Sequence, residues 1–293
     1  MTAADLDYHL HHSYWTRLQQ LCSADAGDLH SLSVSVNWPH RPQDMAFLLA
    51  QGGGFIARDQ IGRPLGAGMS FEYGPDAAMV GMMMTHPKLQ AGGLGREILN
   101  ALEVALDGRN LRLNATKSAW RLYRAAGFRE TGSVVQYQGI SQGPSAPLAP
   151  TGLRAARPED LPSILNLDLH VFGAPRHDVI ARVFAASDCY VIEDGGQVTG
   201  FAMCRPFGRG HVIGPLIAAS VTDAVALSDV FLAQHAGEFV RLDADARHVD
   251  LGENLNTLGL ESYDTVVPMS KGVHYGPENA DGYIYALTSQ AIG

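Results

Sequence analysis

The chain has 293 residues, of which 46% are hydrophobic, and its formal net charge is −9. This length and apolar content can bury the cores of two domains. The acidic balance disfavours nucleic-acid binding, which depends on basic surfaces. No uncharged apolar run reaches the length of about 18 residues that a membrane span needs, so no membrane span is expected.

Cysteine use indicates the cellular compartment. Cys22, Cys189 and Cys204 lie far apart in the sequence. An odd, low number of cysteines argues against a disulfide framework and a thiolate zinc site, and suits a reducing cytoplasm. The first 30 residues are polar and unlike a signal peptide. We therefore expect a cytoplasmic protein.

Three histidines, His9, His11 and His12, lie near the N-terminus, with Asp5 and Asp7 close by. Such residues do bind metals, but a terminal cluster without a second, distant set of ligands is more often incidental. We therefore predict no metal site.

The next segments predict a helix, a loop and a hairpin. Residues 30–36 have a helix-like pattern, and Trp38 belongs to the loop that follows. Residues 55–59 and 64–70 predict two strands of a hairpin, and Glu72 extends the second strand.

A strand, a glycine-rich turn and a helix are predicted next, over residues 78–85, 90–95 and 96–106. The helix carries one apolar stripe, formed by Ile98, Leu99, Leu102 and Leu106. A glycine-rich turn at a helix start directs unpaired backbone N–H groups toward one point, where the helix dipole favours an anion. The segment therefore predicts a pyrophosphate site, with a plain loop and helix cap as the alternative.

A second strand and helix follow over residues 111–116 and 118–128. Together with the glycine-rich turn, they resemble the acetyl-CoA motifs of the GNAT superfamily of N-acetyltransferases over about residues 15–140. The first motif, Gln/Arg-x-x-Gly-x-Gly/Ala, is matched by Gln90, Gly93 and Gly95. The second motif is matched by Ala119, Leu122, Tyr123, Gly127 and Phe128, whereas Thr116 replaces the family's asparagine.

The resemblance implies how acetyl-CoA is bound. Two adjacent strands would splay apart, and the pantetheine would pair with the backbone of Met83, Met84 and Thr85. The methionine run also fits plain core packing, and both interpretations can hold. The remaining predicted contacts to the co-substrate are Gln90, Ala91, Gly92, Gly93, Leu94, Gly95, Arg96 and Thr116, with Lys88 as a nearby cation.

Tyr123 is the predicted general acid toward the departing CoA thiolate, since the family's matching tyrosine lies near the cofactor sulfur. The alternative is a half-buried tyrosine with a hydrogen-bonded hydroxyl. The general base stays open between Glu72, His86 and a water chain. In the family the loop that holds Trp38 lines the acceptor pocket. Trp38 is therefore predicted to contact the substrate or, equally, to cover the hydrophobic core.

The pattern repeats after a linker rich in Gly, Pro and Ser. We predict an N-terminal domain over residues 1–140, a linker over 141–152 and a C-terminal domain over 153–293. The second copy has residues 218–224 in place of the glycine-rich turn, and Asp223 there would cap a helix and repel a pyrophosphate. It resembles the degenerate C-terminal domain of some tandem GNAT proteins.

These interpretations predict a mixed α/β (α+β) fold of two tandem GNAT-like domains. Each domain would hold a mixed, mostly antiparallel twisted sheet flanked by helices. The chain would transfer an acetyl group from acetyl-CoA to a primary amine of a small molecule, directly and without a metal, and the second domain would close one side of the acceptor cleft. No nucleic-acid or membrane partner is expected, and the oligomeric state stays open. The alternative is a non-catalytic acyl-CoA-binding sensor.

Overall fold

The structure is a computed structural model that describes residues 8–145, 150–273 and 282–293. Asp5 and Asp7, and residues 146–149 of the predicted linker, lie outside the described residues. The chain divides into two compact units, residues 1–111 and 112–293. Among the residues that the structure describes, no helix combines the length and apolar character that crossing a membrane requires.

The first unit is a sheet in which each strand pairs antiparallel with the one before it. Its strands are β1 (His9–His11), β2 (Tyr14–Gln20), β3 (Gly53–Asp59), β4 (Pro64–Tyr73) and β5 (Ala77–Thr85). Its helices are α1 (Ala26–Ser35), α2 (Pro42–Leu49) and α3 (Leu94–Ala105), and short 3₁₀ turns cover Ser23–Asp25 and Pro87–Leu89. The predicted hairpin is confirmed in β3 and β4.

Helix α3 lies close against β4 because apolar spacing and a glycine agree. Ile98 and Leu102, four residues apart, are fully buried on one face of the helix. A Cβ added at Gly68 of β4 would lie 2.7 Å from Ile98 Cγ2 and 3.0 Å from Leu102 Cδ1. The glycine therefore lets the helix approach the strand.

The second unit holds the remaining elements. Its strands are β6 (Asn110–Ala115, which begins at the end of the first unit), β7 (Arg129–Glu130), β8 (Val134–Ile140), β9 (Leu153–Ala155), β10 (Asp188–Asp194), β11 (Gln197–Phe207), β12 (Gly210–Ala218), β13 (Phe239–Asp245), β14 (Glu261–Lys271) and β15 (Tyr283–Ala286). Its helices are α4 (Trp120–Ala125), α5 (Leu161–Phe172), α6 (His177–Ala185), α7 (Val221–Gln234) and α8 (Val249–Thr257), with a 3₁₀ turn at Pro158–Asp160.

The strands of the second unit follow the order β6-β14-β8-β13-β15-β12-β11-β10-β9, and β7 also pairs with β14. From β14 to β9 neighbouring strands run antiparallel. The additional pairing of β12 with β13 is parallel. The predicted mixed, mostly antiparallel fold class is confirmed.

Strand β8 lies between β13 and β14. Its register with β13 extends from Ile140 opposite Phe239 to Val134 opposite Asp245, and Gln138 faces Glu261 of β14. Residues 134–140 thus complete the sheet of the second unit. The boundary between the compact units therefore lies upstream of the predicted linker, and the predicted bounds at 140 and 153 stay a prediction.

The second unit repeats the order of the first. The hairpin β10–β11, strand β12, helix α7 and strand β13 follow one another as predicted. Leu227 and Phe231 of α7, four residues apart, are fully buried in one core with Leu216 and Leu242 of the strands. The same apolar spacing that packs α3 on its sheet therefore packs α7 on its own.

Candidate functional site

The turn between β5 and α3 contains hydrogen bonds between residues that are close in the sequence. After Thr85, the ring Nδ1 of His86 accepts a hydrogen bond from the backbone N–H of Lys88 at 3.3 Å. The Gln90 side chain donates from Nε2 to the carbonyl oxygen of Thr85 at 3.4 Å. His86 thus caps the turn, and Gln90 ties the turn back to the end of the strand.

Two left-handed residues direct the chain into α3. Ala91 has φ 63° and Gly93 has φ 93°, a region that favours glycine. Gly93 is the N-cap of α3, and within the described part of the chain no side-chain hydrogen bond caps the helix. The N–H groups of Leu94 and Gly95 cannot find a carbonyl inside the helix, because the first turn has none to offer. This helix start can therefore bind an anion through its backbone.

The charges around this helix start are mixed. Arg96 is partly buried in the first turn, and Lys88 is exposed in the preceding 3₁₀ turn. Glu97 also lies in the first turn, where its carboxylate competes with any anionic ligand for the positive end of the helix.

Strand β5 carries a bulge close to the turn. The register with β4 shifts between Ala67, which faces Met84, and Met69, which faces Gly81. Met82 lies in this bulge with φ 49°, and its side chain is buried, as is that of Met84. Bulges interrupt pairing beside many active sites. The side chains of Met82 and Met84 therefore pack in the core, as one of the two interpretations predicts. The predicted pairing of the Met83–Thr85 backbone with pantetheine stays a prediction.

The N-terminal histidines lie against this turn, and the prediction that they form no metal site stays a prediction. The ring of His11 lies 3.0 Å from the carbonyl oxygen of Gly92 through Nδ1 and 2.5 Å from Glu97 Oε2 through Nε2. His9 Nδ1 lies 2.6 Å from Glu97 Oε1. A Cβ added at Gly92 would lie 2.5 Å from Cδ2 of the exposed His12 ring, so a larger residue there would displace that ring. The antiparallel pairing of β1 with β2 brings these residues to the turn, and the local sequence carries no signal for it.

Tyr123 lies on α4 in the second unit. Its side chain is buried, with 4% exposure, and its ring meets Phe128 edge to face at 5.9 Å. Burial raises the pKa of the Tyr123 phenol above its ordinary value, so the hydroxyl keeps its proton at neutral pH. The phenol is therefore in the form that can donate a proton, while its raised pKa makes it a weaker acid than an unperturbed tyrosine.

Thr116 begins the segment that leads into α4. Its carbonyl oxygen accepts hydrogen bonds from the N–H groups of Ala119 and Trp120, both at 3.0 Å. Its hydroxyl lies 3.1 Å from the hydroxyl of Ser118. The residue that replaces the family's asparagine therefore supports the local turn, and its predicted contact with the co-substrate stays a prediction.

The two predicted substrate contacts occupy different settings in the first unit. Glu72 is exposed on β4 and forms an ion pair with Arg109, with its Oε2 2.5 Å from Nη2. Trp38 lies in the loop between α1 and α2, partly buried, with its ring 5.9 Å from that of His40. Their roles toward a substrate stay predictions.

A group of two histidines and a glutamate occurs in the second unit, which the sequence interpretation did not notice. His211, His235 and Glu238 place one potential ligand atom each within 4.8 Å of the others. The Nδ1 atoms of the two stacked rings lie 3.2 and 3.0 Å from Glu238 Oε2. The hydrogen bond between His235 Nδ1 and Glu238 Oε2 and the stacking of the His211 ring on that of His235, with ring centroids 3.8 Å apart, account for this arrangement.

Comparison with protein families decides the classification. Two matches to models described as an acetyltransferase (GNAT) domain cover residues 40–144 and 164–286, together more than half of the chain. The chain belongs to the GNAT acetyltransferases. The predicted tandem arrangement, fold class and enzyme class are thereby confirmed, and the first matched range contains both the turn at 90–96 and Tyr123.

Individual relatives agree with this classification. A Bacillus subtilis (strain 168) protein described as an uncharacterized N-acetyltransferase, YitH, is 26% identical over 296 residues and is matched over the full length of both chains. A putative acetyltransferase from Pyrococcus horikoshii has a similar structure, with a TM-score of 0.75 and 19% identity over 97% of this chain and 99% of that one. A tandem GNAT protein from the clavulanic acid biosynthesis pathway has a TM-score of 0.62 and 16% identity over 88% of this chain and 99% of that one. The two structural likenesses concern the fold.

Proposed function

We propose that this GNAT enzyme transfers the acetyl group of acetyl-CoA to a primary amine of a small molecule, by direct attack of the amine. The observation that carries the proposal is the start of α3, where Gly93 leaves the helix without a side-chain cap among the described residues. Members of the family use acetyl-CoA as co-substrate, and an open helix start is a site for its diphosphate.

The residues present fit this co-substrate. The backbone amides of Leu94 and Gly95 would bind the diphosphate, Arg96 and Lys88 would add positive charge, and the backbone of Met83–Thr85 would pair with the pantetheine. Acetyl-CoA supplies the activated thioester. The left-handed geometry of Ala91 and Gly93 supports the proposal, because successive amides in such turns form concave anion sites.

Direct transfer is supported by the chemistry of the cysteines. All three are free, and burial raises the pKa of Cys189 and of Cys204 to about 12. Both therefore remain thiols at neutral pH and are poor nucleophiles. Cys22 is exposed and lies outside the two motifs. An acyl-enzyme on cysteine is thus disfavoured, and a reducing cytoplasm suits three free thiols.

Tyr123 would donate its phenolic proton to the departing thiolate, while the ammonium proton of the acceptor leaves to water or to a nearby base. The experiment is thiol release from acetyl-CoA with wild type and Tyr123→Phe. A general acid contributes about 100-fold or more to the rate, so kcat should fall by that factor while CoA affinity is kept. A variant with an unchanged kcat would exclude this role for Tyr123.

The acceptor class is tested with a panel of amines in the same assay. The net charge of −9 favours a cationic small molecule over nucleic acid or an anionic membrane surface. Turnover with polyamines, amino acids or aminoglycosides would support the proposal. Turnover with lysine peptides alone would contradict the small-molecule part, and CoA binding without turnover on any amine would favour the acyl-CoA sensor.

A further inference from the structure

The first turn of α3 holds a negative charge beside the proposed diphosphate site. Glu97 is in that turn, and its backbone N–H donates to the carbonyl oxygen of Gly93, the N-cap residue, at 3.1 Å. A bare carboxylate there would repel a diphosphate bound to the same helix start. Cancelling this charge would therefore strengthen a polyanion site at this helix start.

The β1–β2 hairpin holds both oxygens of that carboxylate. His11 Nε2 lies 2.5 Å from Oε2, and His9 Nδ1 lies 2.6 Å from Oε1. The side chains of His11 and Glu97 are 10% and 20% exposed, so solvent screens their interaction only in part. His9 is 62% exposed, so it is the solvent-facing one of the two histidines that contact Glu97.

The hydrogen-bond partners of His11 determine how many protons the His11–Glu97 pair carries. Its Nδ1 faces the carbonyl oxygen of Gly92 at 3.0 Å, and a carbonyl oxygen can only accept, so Nδ1 carries a proton. Its Nε2 faces a carboxylate oxygen, and a second proton must lie between those two atoms. The His11–Glu97 pair thus holds one proton more than a neutral imidazole with a carboxylate, and its net charge is zero.

We propose that His11, assisted by His9, neutralises Glu97 and thereby makes the turn at residues 90–96 competent to bind the diphosphate of CoA. This inference rests on the proposed function. His11 acts here as a positioning residue: it works through Glu97 and through the Gly92 carbonyl. The hairpin is then a part of the co-substrate site that neither GNAT motif contains.

The experiment is calorimetric titration with CoA of wild type, His11→Gln, Glu97→Gln and the double variant. Glutamine keeps polar groups at position 11 but cannot carry the extra proton. We expect His11→Gln to bind CoA about tenfold more weakly, because the Glu97 carboxylate then keeps its negative charge and repels the diphosphate. Glu97→Gln should bind at least as tightly as wild type, and the double variant should return to that affinity.

Two controls separate charge from shape. In His11→Gln with Glu103→Gln, a carboxylate is removed farther along the same helix, and affinity should stay low. The deficit of His11→Gln relative to wild type should also shrink with salt, because the Debye length falls from about 10 Å at 0.1 M to about 3 Å at 1 M. A loss of turn geometry alone would persist at high salt.

The outcomes are distinct. A double variant as weak as His11→Gln would show a structural role and overturn the inference. A His11→Gln variant that binds more tightly, because the hairpin had covered the site, would also overturn it.

If circular dichroism shows that His11→Gln does not fold, a variant of the exposed His9, His9→Gln, replaces it. Its CoA affinity should show a smaller deficit, which Glu97→Gln should again remove. Wild type that takes up no CoA would end the proposed function itself, whereas wild-type uptake with a normal His11→Gln would end only this inference.

Discussion

The two copies of the domain differ in how their corresponding helices begin: α3 in the first unit and α7 in the second. At α7, the Ser220 hydroxyl bonds to the Asp223 carboxylate at 2.7 Å and accepts from the Asp223 N–H at 3.2 Å. At α3, the N-cap is Gly93 in the left-handed region, and no side chain of the described residues caps it. The same framework thus leaves one helix start without a side-chain cap and caps the other with its own side chains.

A further feature of the second unit lies inside its sheet. Strands β12 and β13 pair in parallel only from His211 opposite Val240 to Ile213 opposite Leu242. Farther along, β15 pairs with both strands, with Ala286 opposite Leu216 and Ala244. The gap between the diverging strands is therefore filled by the chain itself, in the copy whose helix start is capped.

The largest expected effect concerns this filled gap. Ala286→Asp would bury an unpaired carboxylate at a fully buried position, so the free energy of unfolding should fall by about 3 kcal/mol or more. Tyr283→Asp on the same strand, at a 52% exposed position, should cost about 1 kcal/mol or less. Urea unfolding measures both. Equal losses would show that β15 does not fill a packed gap.

Charge reversal at the open helix start is next in size. Arg96 and Asp223 both occupy the third position of their helices. Arg96→Asp would give α3 the charge of α7, so CoA affinity should fall about 100-fold through lost attraction and added repulsion. Asp223→Ala is the matched control and should leave CoA affinity unchanged. An Arg96→Asp variant that binds like wild type would remove Arg96 from the site.

The two copies share an aspartate that pairs with an arginine, before α1 in one copy and before α5 in the other. This pair predicts how the stability of the fold depends on pH. Asp25 accepts from the Cys22 N–H at 2.8 Å and pairs with Arg58, and Asp160 accepts from the Arg157 N–H at 2.6 Å and pairs with Arg154. The hydrogen bonds from Arg154 lower the pKa of Asp160 to about 2.

A carboxylate with a lowered pKa stabilises the fold above its unfolded pKa of about 4 and loses that contribution as the pH falls to about 2. Asp160→Asn should therefore cost about 1–2 kcal/mol at pH 7 and much less near pH 2. Denaturant unfolding at both pH values tests this. A cost that does not change with pH would assign the effect to packing.

The smallest expected effect is at the closed helix start. Ser220→Ala removes the cap of α7 and should lower the free energy of unfolding by about 1 kcal/mol, with CoA affinity unchanged. Unfolding and calorimetry on one preparation check both parts. A change in CoA affinity would mean that the second helix start takes part in binding.

Local patterns in the sequence predicted the elements around the site. The apolar run before His86, the glycines at 92, 93 and 95, and the spacing of Ile98 and Leu102 gave β5, the turn and α3, because each signal lies within a few residues. Asp223 at the start of α7 was predicted in the same way.

Non-local pairing could not be predicted. Strand β8 lies between β13 and β14, about 100 residues or more along the chain, and β15 pairs with strands far upstream. The short strand β1 shows no clear alternation, so the contact of His11 with Glu97, 86 residues apart, carried no sequence signal. Long-range strand order depends on the whole fold, which local periodicity does not encode.

The stoichiometry of CoA binding to the intact chain tests the central claim most directly. Because one helix start lacks a side-chain cap and its counterpart has one, calorimetry should find one CoA per chain, and Arg96→Asp should weaken that binding about 100-fold. Two equivalent sites per chain, or no uptake of CoA by folded protein, would contradict the account.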